Sequence, residues 1–459
     1  MKVNYKRRGW KVAAVGELMV SRPFSMHKES DFLAIKEKMD AADVGYGHLE
    51  MNLIPEDKLP CAARADTVAS YMNADPVIAK DIKWLGVDMM SLAHNHSFDF
   101  GAPGLLENRK NCAEAGIAIA GTGCDLEEAG SPAYFESEAG RAALISVSSG
   151  NKSTEWANMA KGKIPARPGV NPLRVHTRYH VTPDVAEAIK KMCKEFHILT
   201  TKGSYGGFYL KDDEFLIGTP MMNSKYNCVR YVEDDQFRVE MTNDPKDLER
   251  IVRSIQSAKK SSDLVMVAHH YNVSEGPRGD EVPEFARAFA HAAIDAGADI
   301  YFGHGWHRTL GIEIYKGKPI IHNVGDAFAQ SQFLRHIPYD SYETWGHDME
   351  KSTILMPTDE PLHPGIDKPS PLWWNSAVYE MEFDEDKNVQ SIKLTPLELG
   401  RDFSYTDVIN TRPTGPTCEG RPLVAHGQNA QLILERFVNL SKEFGTEIVI
   451  DGEVAYWKA

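Results

Sequence analysis

Two segments, Ala93-His94-Asn95-His96 and Gly303-His304-Gly305-Trp306-His307, decide how the rest of the chain is read. Each puts imidazoles, with an amide in the first, directly behind an apolar run. Such runs read as buried strands, and open α/β sheets gather their ligand sites at strand carboxyl ends. Three more runs end the same way. Glu17 follows Val12-Ala13-Ala14-Val15-Gly16, Glu50 follows Val44-Gly45-Tyr46-Gly47, and His269-His270 follows Leu264-Val265-Met266-Val267. Five strand ends offering only carboxylate, amide and imidazole are the donor inventory of a divalent metal site. A lone histidine at a strand end is ordinarily a hydrogen-bonded structural residue. Several ligand-type residues at corresponding ends of parallel strands are not explained that way.

The mixture of donors has a chemical logic. A carboxylate can bridge and neutralise two cations, imidazoles tune affinity, and an amide oxygen is a weak ligand. A metal so held lowers the pKa of bound water towards ~7. An imidazole nearby that is not a ligand can then act as general acid or base. Oxygen and nitrogen donors without thiolate suit one or two divalent transition metals, manganese, zinc or iron, without choosing among them.

Around these segments, strand and helix alternate through the first 150 residues. Helices are expected after Ser30-Asp31, after Asp75-Pro76 and from Pro103 to Ala115, with strands at 11–15, 44–46, 88–92 and 117–120. This βαβ succession implies a mostly parallel sheet. The rhythm breaks over 151–245. Asn151 to His180 reads as loop, a helix from Pro183 to Phe196 has Thr182 as its cap, and short strand-like pieces follow. It resumes with helices at 246–260 and 283–296 and strands at 264–268 and 299–302. The expected organisation is therefore a core in two halves, 1–150 and 246–330. An insertion at 151–245 serves as lid or substrate wall, and a loop-rich extension covers 331–459. That extension contains a strand near 378–383, a helix near 428–444 and a terminal hairpin.

Composition excludes several classes. A net charge of −14 argues against nucleic acid as a partner. The six cysteines, at 61, 112, 124, 193, 228 and 418, include no C-x-x-C pair and read as reduced thiols. The N-terminal Met1–Arg8 lacks a signal-peptide apolar region, and no run approaches 18 apolar residues, so a cytoplasmic protein without membrane attachment is expected. Gly-x-Ser-x-Gly and the phosphate-binding G-x-x-x-x-G-K-[ST] are both missing.

With these residues laid out, the chain resembles the CapA family, the poly-γ-glutamate capsule proteins within the calcineurin-like metallophosphoesterase fold. The family's Gly-Asp-x-Met-x-x-Arg is similar to Gly16-Glu17-Leu18-Met19-Val20-Ser21-Arg22, and its Asn-Leu-Glu to His48-Leu49-Glu50. Its Asn-Asn-His-x-x-Asp-x-Gly resembles His94-Asn95-His96-Ser97-Phe98-Asp99-Phe100-Gly101, differing at the first position. The block from Gly303 to Ile320 is similar nearly throughout. The resemblance spans about 16–125 and 263–328. It implies a metallophosphoesterase-like αββα sandwich. Glu17 and Glu50 would be carboxylate ligands, Glu50 the bridge, and Asn95 an amide ligand. His96 would be the acid/base, and a histidine of the 269–270 pair, with His304 or His307, would complete the shell. Arg22, in the family's Arg position, could hold an anionic group of substrate. Adjacent strand residues point opposite ways, which leaves open whether His269 or His270 faces the metal, with His270 slightly favoured. The chain departs from the family at Glu17 (usually Asp), at His48 (usually Asn, here an extra ligand or acid), and at Asn323-Val324-Gly325-Asp326, where the family has Ser-Leu-Gly-Asn.

The expected activity is that of a soluble metal-dependent enzyme acting on a small molecule, with hydrolysis by metal-activated water as the leading reading. The alternatives are a metal-assisted carbon–carbon lyase using His96 or His48 as base, a capsule-related protein, and a non-catalytic binding subunit. Trp306, inside a ligand motif, is the aromatic residue expected to contact substrate. Trp156, Tyr179, Tyr205, Phe208, Trp345, Trp373 and Trp374 read mostly as packing, with several able to line a pocket. A homo-oligomer is compatible with this reading.

Overall fold

Alternation along Val12-Ala13-Ala14-Val15 buries both faces of the first strand. Val12 and Ala14 enter one apolar cluster, and Ala13 and Val15 another. The computed structural model describes residues 9–60, 71–197, 200–201, 210–217, 229–273, 279–330, 339, 371–399 and 420–459. Lys6-Arg7-Arg8, Cys61, Tyr205, Phe208, Cys228, Trp345, Cys418 and the Trp373 side chain lie outside the described residues.

The first sheet runs, in spatial order, Val449–Asp451, Val454–Lys458, Val389–Glu398, Asn375–Phe383, Lys11–Met19, Val44–His48, Met89–Ser91 and Ala118–Ala120. Asp326–Ala329 pairs in parallel with the far end of Lys11–Met19. The second sheet runs Ile312–Tyr315, Lys318–Ile321, Ile300–His304, Leu264–His270, Gly140–Ser148 and Ala133–Ser137, its central strands parallel. One cluster holds residues of both sheets, among them Val12, Tyr46, Met89, Leu144, Met266 and Phe302, and so lies between them. The helices Ser30–Asp40 and Val77–Trp84 bury Phe32, Ile35, Met39, Ile78 and Ile82 on the outer face of the first sheet. Phe289, of the helix Glu284–Ala296, meets the His269 ring on the outer face of the second. This is an α/β protein, a metallophosphoesterase-like αββα sandwich.

A separate compact unit comprises Arg174–Leu248 and Pro283–Phe285. The helix Pro183–Glu195 packs its Ala186 against Val181 and Phe215 of this unit's five-stranded sheet.

Several local expectations differ from the structure. Glu17 lies inside the first strand rather than after it, at a register shift between Ala14 and Glu17. The hairpin of Ala133–Ser137 and Gly140–Ser148 was not anticipated, nor was the strand Val389–Glu398. Val175–Val181, read as loop, is a strand held by pairing on both sides, which its sparse periodicity did not announce. Thr182 occupies the cap position without a side-chain cap bond, and Glu29, not Ser30, precedes the first helix. Asn375–Phe383, within the segment read as an extension, is the antiparallel neighbour of Lys11–Met19. Cys112, Cys124 and Cys193 are free thiols. No helix among the described residues is long and apolar enough to cross a membrane.

Candidate metal centre

The centre is assembled by strand parity. Ile300, Phe302, Met266 and Ala268 face the inter-sheet cluster, so the strands deliver His304 and His270 to that same face. His269 points the other way, towards Ser149 and Tyr301. Glu17 needs an irregularity to join them. A Cβ on Gly16 would lie 2.1 Å from the Gly325 carbonyl oxygen, so only glycine allows this approach. The Glu17 N–H then donates to that oxygen at 2.9 Å. Gly305, at φ +97, turns the late block so that its N–H donates to Glu17 Oε1 at 2.6 Å.

Two groups of donors result, each with ligand atoms within 4.8 Å of one another: Glu17, Glu50 and His270, and Glu17, His307 and Asp326. Glu17 belongs to both. His307 Nδ1 stands 3.0 Å from Asp326 Oδ1, 3.3 Å from Glu17 Oε2 and 3.9 Å from Glu50 Oε2. Asn95 joins the first group through Oδ1, 3.0 Å from His270 Nε2.

This donor set fits a divalent cation. Three carboxylates are buried together, and Glu17 Oε2, Glu50 Oε2 and Asp326 Oδ2 have no hydrogen-bond partner. Buried charge without compensation is costly, and each such atom calls for an explanation. Without a cation the groups must share protons. Burial, opposed by His307 and reinforced by the Glu17 charge, holds the Glu50 carboxyl well above its usual range. Burial pushes the Asp326 carboxyl up to about 7 although His307 opposes it. For Glu17, burial is outweighed by the positive His307 and by the neighbouring Glu50, and the pKa falls well below the ordinary value. His307 behaves oppositely to a buried histidine. Burial favours its neutral form, but Asp326, Glu50 and Glu17 together raise it well above the ordinary value. A divalent ion would replace these protons with charge of the required sign.

At the rim, His96 is half-buried, and its Nδ1 lies 2.9 Å from Asp99 Oδ2, which also accepts from the Met72 N–H at 2.9 Å. The Asn52 side chain donates to the His96 carbonyl at 2.8 Å. Asp99 thus holds the ring through Nδ1, and Asn52 holds the backbone that carries it.

Residues 11–331 match the model of the family described as "Bacterial capsule synthesis protein PGA_cap". The chain belongs to this family. It is 30% identical over 456 residues to the "Uncharacterized protein y4sH" of Sinorhizobium fredii, covering 97% of this chain and 92% of that one. It is 26% identical over 328 residues to a "Probable polyglutamine synthesis accessory protein" of Mycobacterium tuberculosis, covering 71% of this chain and 62% of the relative. The "PGA biosynthesis protein CapA" of Bacillus subtilis is 39% identical over 83 residues, 18% of this chain and 21% of that one.

Within the capsule-synthesis family pattern, the structure gathers Glu17, Glu50, Asn95, His270 and His307. His48 and His304 are fully buried behind His270, their rings stacked at 4.2 Å, and neither falls in the two donor groups. Arg22 is exposed past the end of the first strand, its N–H towards the Gln330 side chain. Trp306 is half-buried beside His307. Its Nε1 donates to the Gly279 carbonyl at 2.8 Å, and Arg308 lies over its ring. Trp156 packs with Ala93, Leu105 and Val170 beneath the Asn95 loop, Trp374 against the outer core, and Tyr179 is exposed. Sequence reasoning assigned Asp326 no role. The available signal was an acid ending the run after Ile320-Ile321, as Glu17 ends its own.

Proposed function

We propose that the chain is a divalent-metal-dependent hydrolase acting on a small molecule, with manganese, zinc or iron as the resident cation. The overlap of two donor groups on Glu17 carries this reading, because such an overlap suits one or two cations set side by side. When bound, the cation would be held by Glu17, Glu50, Asn95, His270, His307 and Asp326, and would supply Lewis acidity and lower the pKa of a coordinated water. The chain's own groups do the rest. Asp99 fixes the His96 ring through Nδ1, leaving Nε2 to hand a proton to a leaving group. His96 follows Asn95, whose Oδ1 faces His270 Nε2 at 3.0 Å. Trp306 offers a half-buried aromatic face for substrate.

The relatives' names favour a second reading, an accessory role in making a glutamate polymer. One experiment separates the two. Chelator-stripped protein is reloaded with each metal and assayed on a phosphodiester and a γ-glutamyl amide in oxygen-18 water. The hydrolase reading expects metal-dependent turnover with label in the product, and a loss of about 10²–10⁴-fold in His96→Asn. A metal-loaded protein inert on both substrates supports the accessory role. Turnover without label points to carbon–carbon cleavage, and an unimpaired His96→Asn of normal metal content removes His96 from the chemistry.

A further inference from the structure

Beneath the centre lies a line of five fully buried side chains, His304, Tyr46, Ser91, His48 and His270, of which the proposed chemistry uses only His270. Strand parity brings them to one layer between the sheets. His304 Nε2 is 2.7 Å from the Tyr46 hydroxyl, which is 2.7 Å from Ser91 Oγ. Ser91 Oγ is 2.6 Å from His48 Nδ1, and His48 Nε2 is 3.0 Å from His270 Nδ1. The line is unbranched. Its two ends are His270 Nε2, facing Asn95 Oδ1, and His304 Nδ1, which is buried without a partner.

Such a line obeys a proton count. Each neutral member brings one exchangeable proton, and each of the four internal hydrogen bonds holds one. The fifth proton must therefore sit at one end, and the opposite end is a bare lone pair. Neutrality is enforced by the surroundings. Burial depresses the histidines, His304 to about 3, and raises the Tyr46 phenol.

We infer that this line is a tautomer relay that lets either His270 or His304 present a bare nitrogen, but not both. It rests on the metal-centre reading above. In the arrangement described, Asn95 Oδ1 accepts from His270 Nε2, so every internal bond points towards His270 and His304 Nδ1 carries the lone pair. A cation in the Glu17–Glu50–His270 group needs the lone pair of His270 Nε2. That nitrogen gives up its proton to solvent, each internal bond reverses, and His304 Nδ1 takes up one proton from solvent. The line's net charge is unchanged. His304 is then a sensor of the ligated state and His270 the ligand, with His48, Ser91 and Tyr46 as positioning residues that fix its ring and tautomer.

The test is nitrogen-15 NMR of histidine-labelled full-length protein titrated with zinc. The expected result is that His304 Nδ1 changes from a bare to a protonated nitrogen as one zinc binds, while His270 Nε2 shows the signature of a ligand. In Ser91→Ala, and independently in Tyr46→Phe, zinc should still bind while His304 no longer responds. If zinc binds and His304 keeps its bare Nδ1, or itself becomes a ligand together with His270, the relay is wrong and the metal centre stands. If a folded protein binds no zinc, manganese or iron, both fail.

Discussion

Glu17 and Asp326 are register partners across the parallel strands Lys11–Met19 and Asp326–Ala329, and their carboxylates share a single nitrogen of His307. Two acids distant in sequence are thereby forced into one site by backbone pairing alone. Sheet register, not loop conformation, sets their spacing, so the arrangement is rigid before any ligand arrives.

Replacing Asp326 by Asn keeps the shape and removes a charge from one donor group only. Cation affinity there should fall by at least roughly 10–100-fold, the loss typical even for a partner that only supports a ligand. Elemental analysis after equilibrium dialysis, beside Glu50→Gln, reads this directly. Equal metal content in Asp326→Asn and parent would exclude Asp326 from the centre.

Metal binding should also depend on pH. In the cation-free protein burial pushes the Asp326 carboxyl up to about 7 and the surrounding carboxylates raise His307 well above its ordinary value, so His307 is protonated at neutrality and Asp326 takes up a proton as pH falls below about 7. Ligation requires those protons to leave. Affinity should therefore weaken as pH falls below about 7, by up to about tenfold per unit for each proton displaced. Isothermal titration at pH 6, 7 and 8 measures the slope, and a flat profile would contradict it.

Glu313 lies outside the centre, 2.8 Å from His291 Nε2 and 3.0 Å from His322 Nε2. Burial alone would raise its carboxyl, but the hydrogen bonds of His322 and His291 bring it down to about 2 from an ordinary 4.5. A depressed folded pKa gives stability that is present above the unfolded value and is lost as pH falls towards the folded one. Glu313→Gln should thus be about 2–3 kcal/mol less stable than the parent at pH 6, with the gap closing between roughly pH 4.5 and 2. Denaturant titrations across that window test the sign, and a gap that widens on acidification would refute it.

Gly305 makes a separate prediction. A Cβ there would stand 2.9 Å from His270 Nε2 and 2.8 Å from the Tyr271 carbonyl oxygen, on a backbone at φ +97. Gly445 also has positive φ, at +70, but nothing lies within 4 Å of its Cβ position. Both alanine variants should lose about 1–3 kcal/mol through backbone strain. Only Gly305→Ala should also weaken metal binding, because it displaces a ligand. Equal metal affinity in the two variants would mean that His270 tolerates displacement.

What the sequence made legible was chemistry at strand ends. Apolar runs that stop at Glu, Asn or His mark where donors emerge, and period-two alternation dictates that only one of His269 and His270 faces inward, while strand register decides that it is His270. The register shift at Gly16 was not legible, because its cause is the backbone of Gly325, far away in the chain. Asp326 escaped for the same reason, since a two-sided view of the first strand was needed to see which acid faces Glu17. The Tyr46–Ser91–His48 line left no mark either, as polar residues inside strands read as ordinary variation until the partner strand is known.

The placement of Asn375–Phe383 beside Lys11–Met19 has a consequence for synthesis. The strand that bears Glu17 leaves the ribosome long before its antiparallel neighbour, which lies several hundred residues further along the chain. Until then the backbone groups of Lys11 to Ala14 present an open edge, able to pair with whatever strand is at hand. Assembly of this sheet is thus timed by its latest-made strands. A chain interrupted before Asn375 retains that edge, a template for pairing with a second unfinished copy.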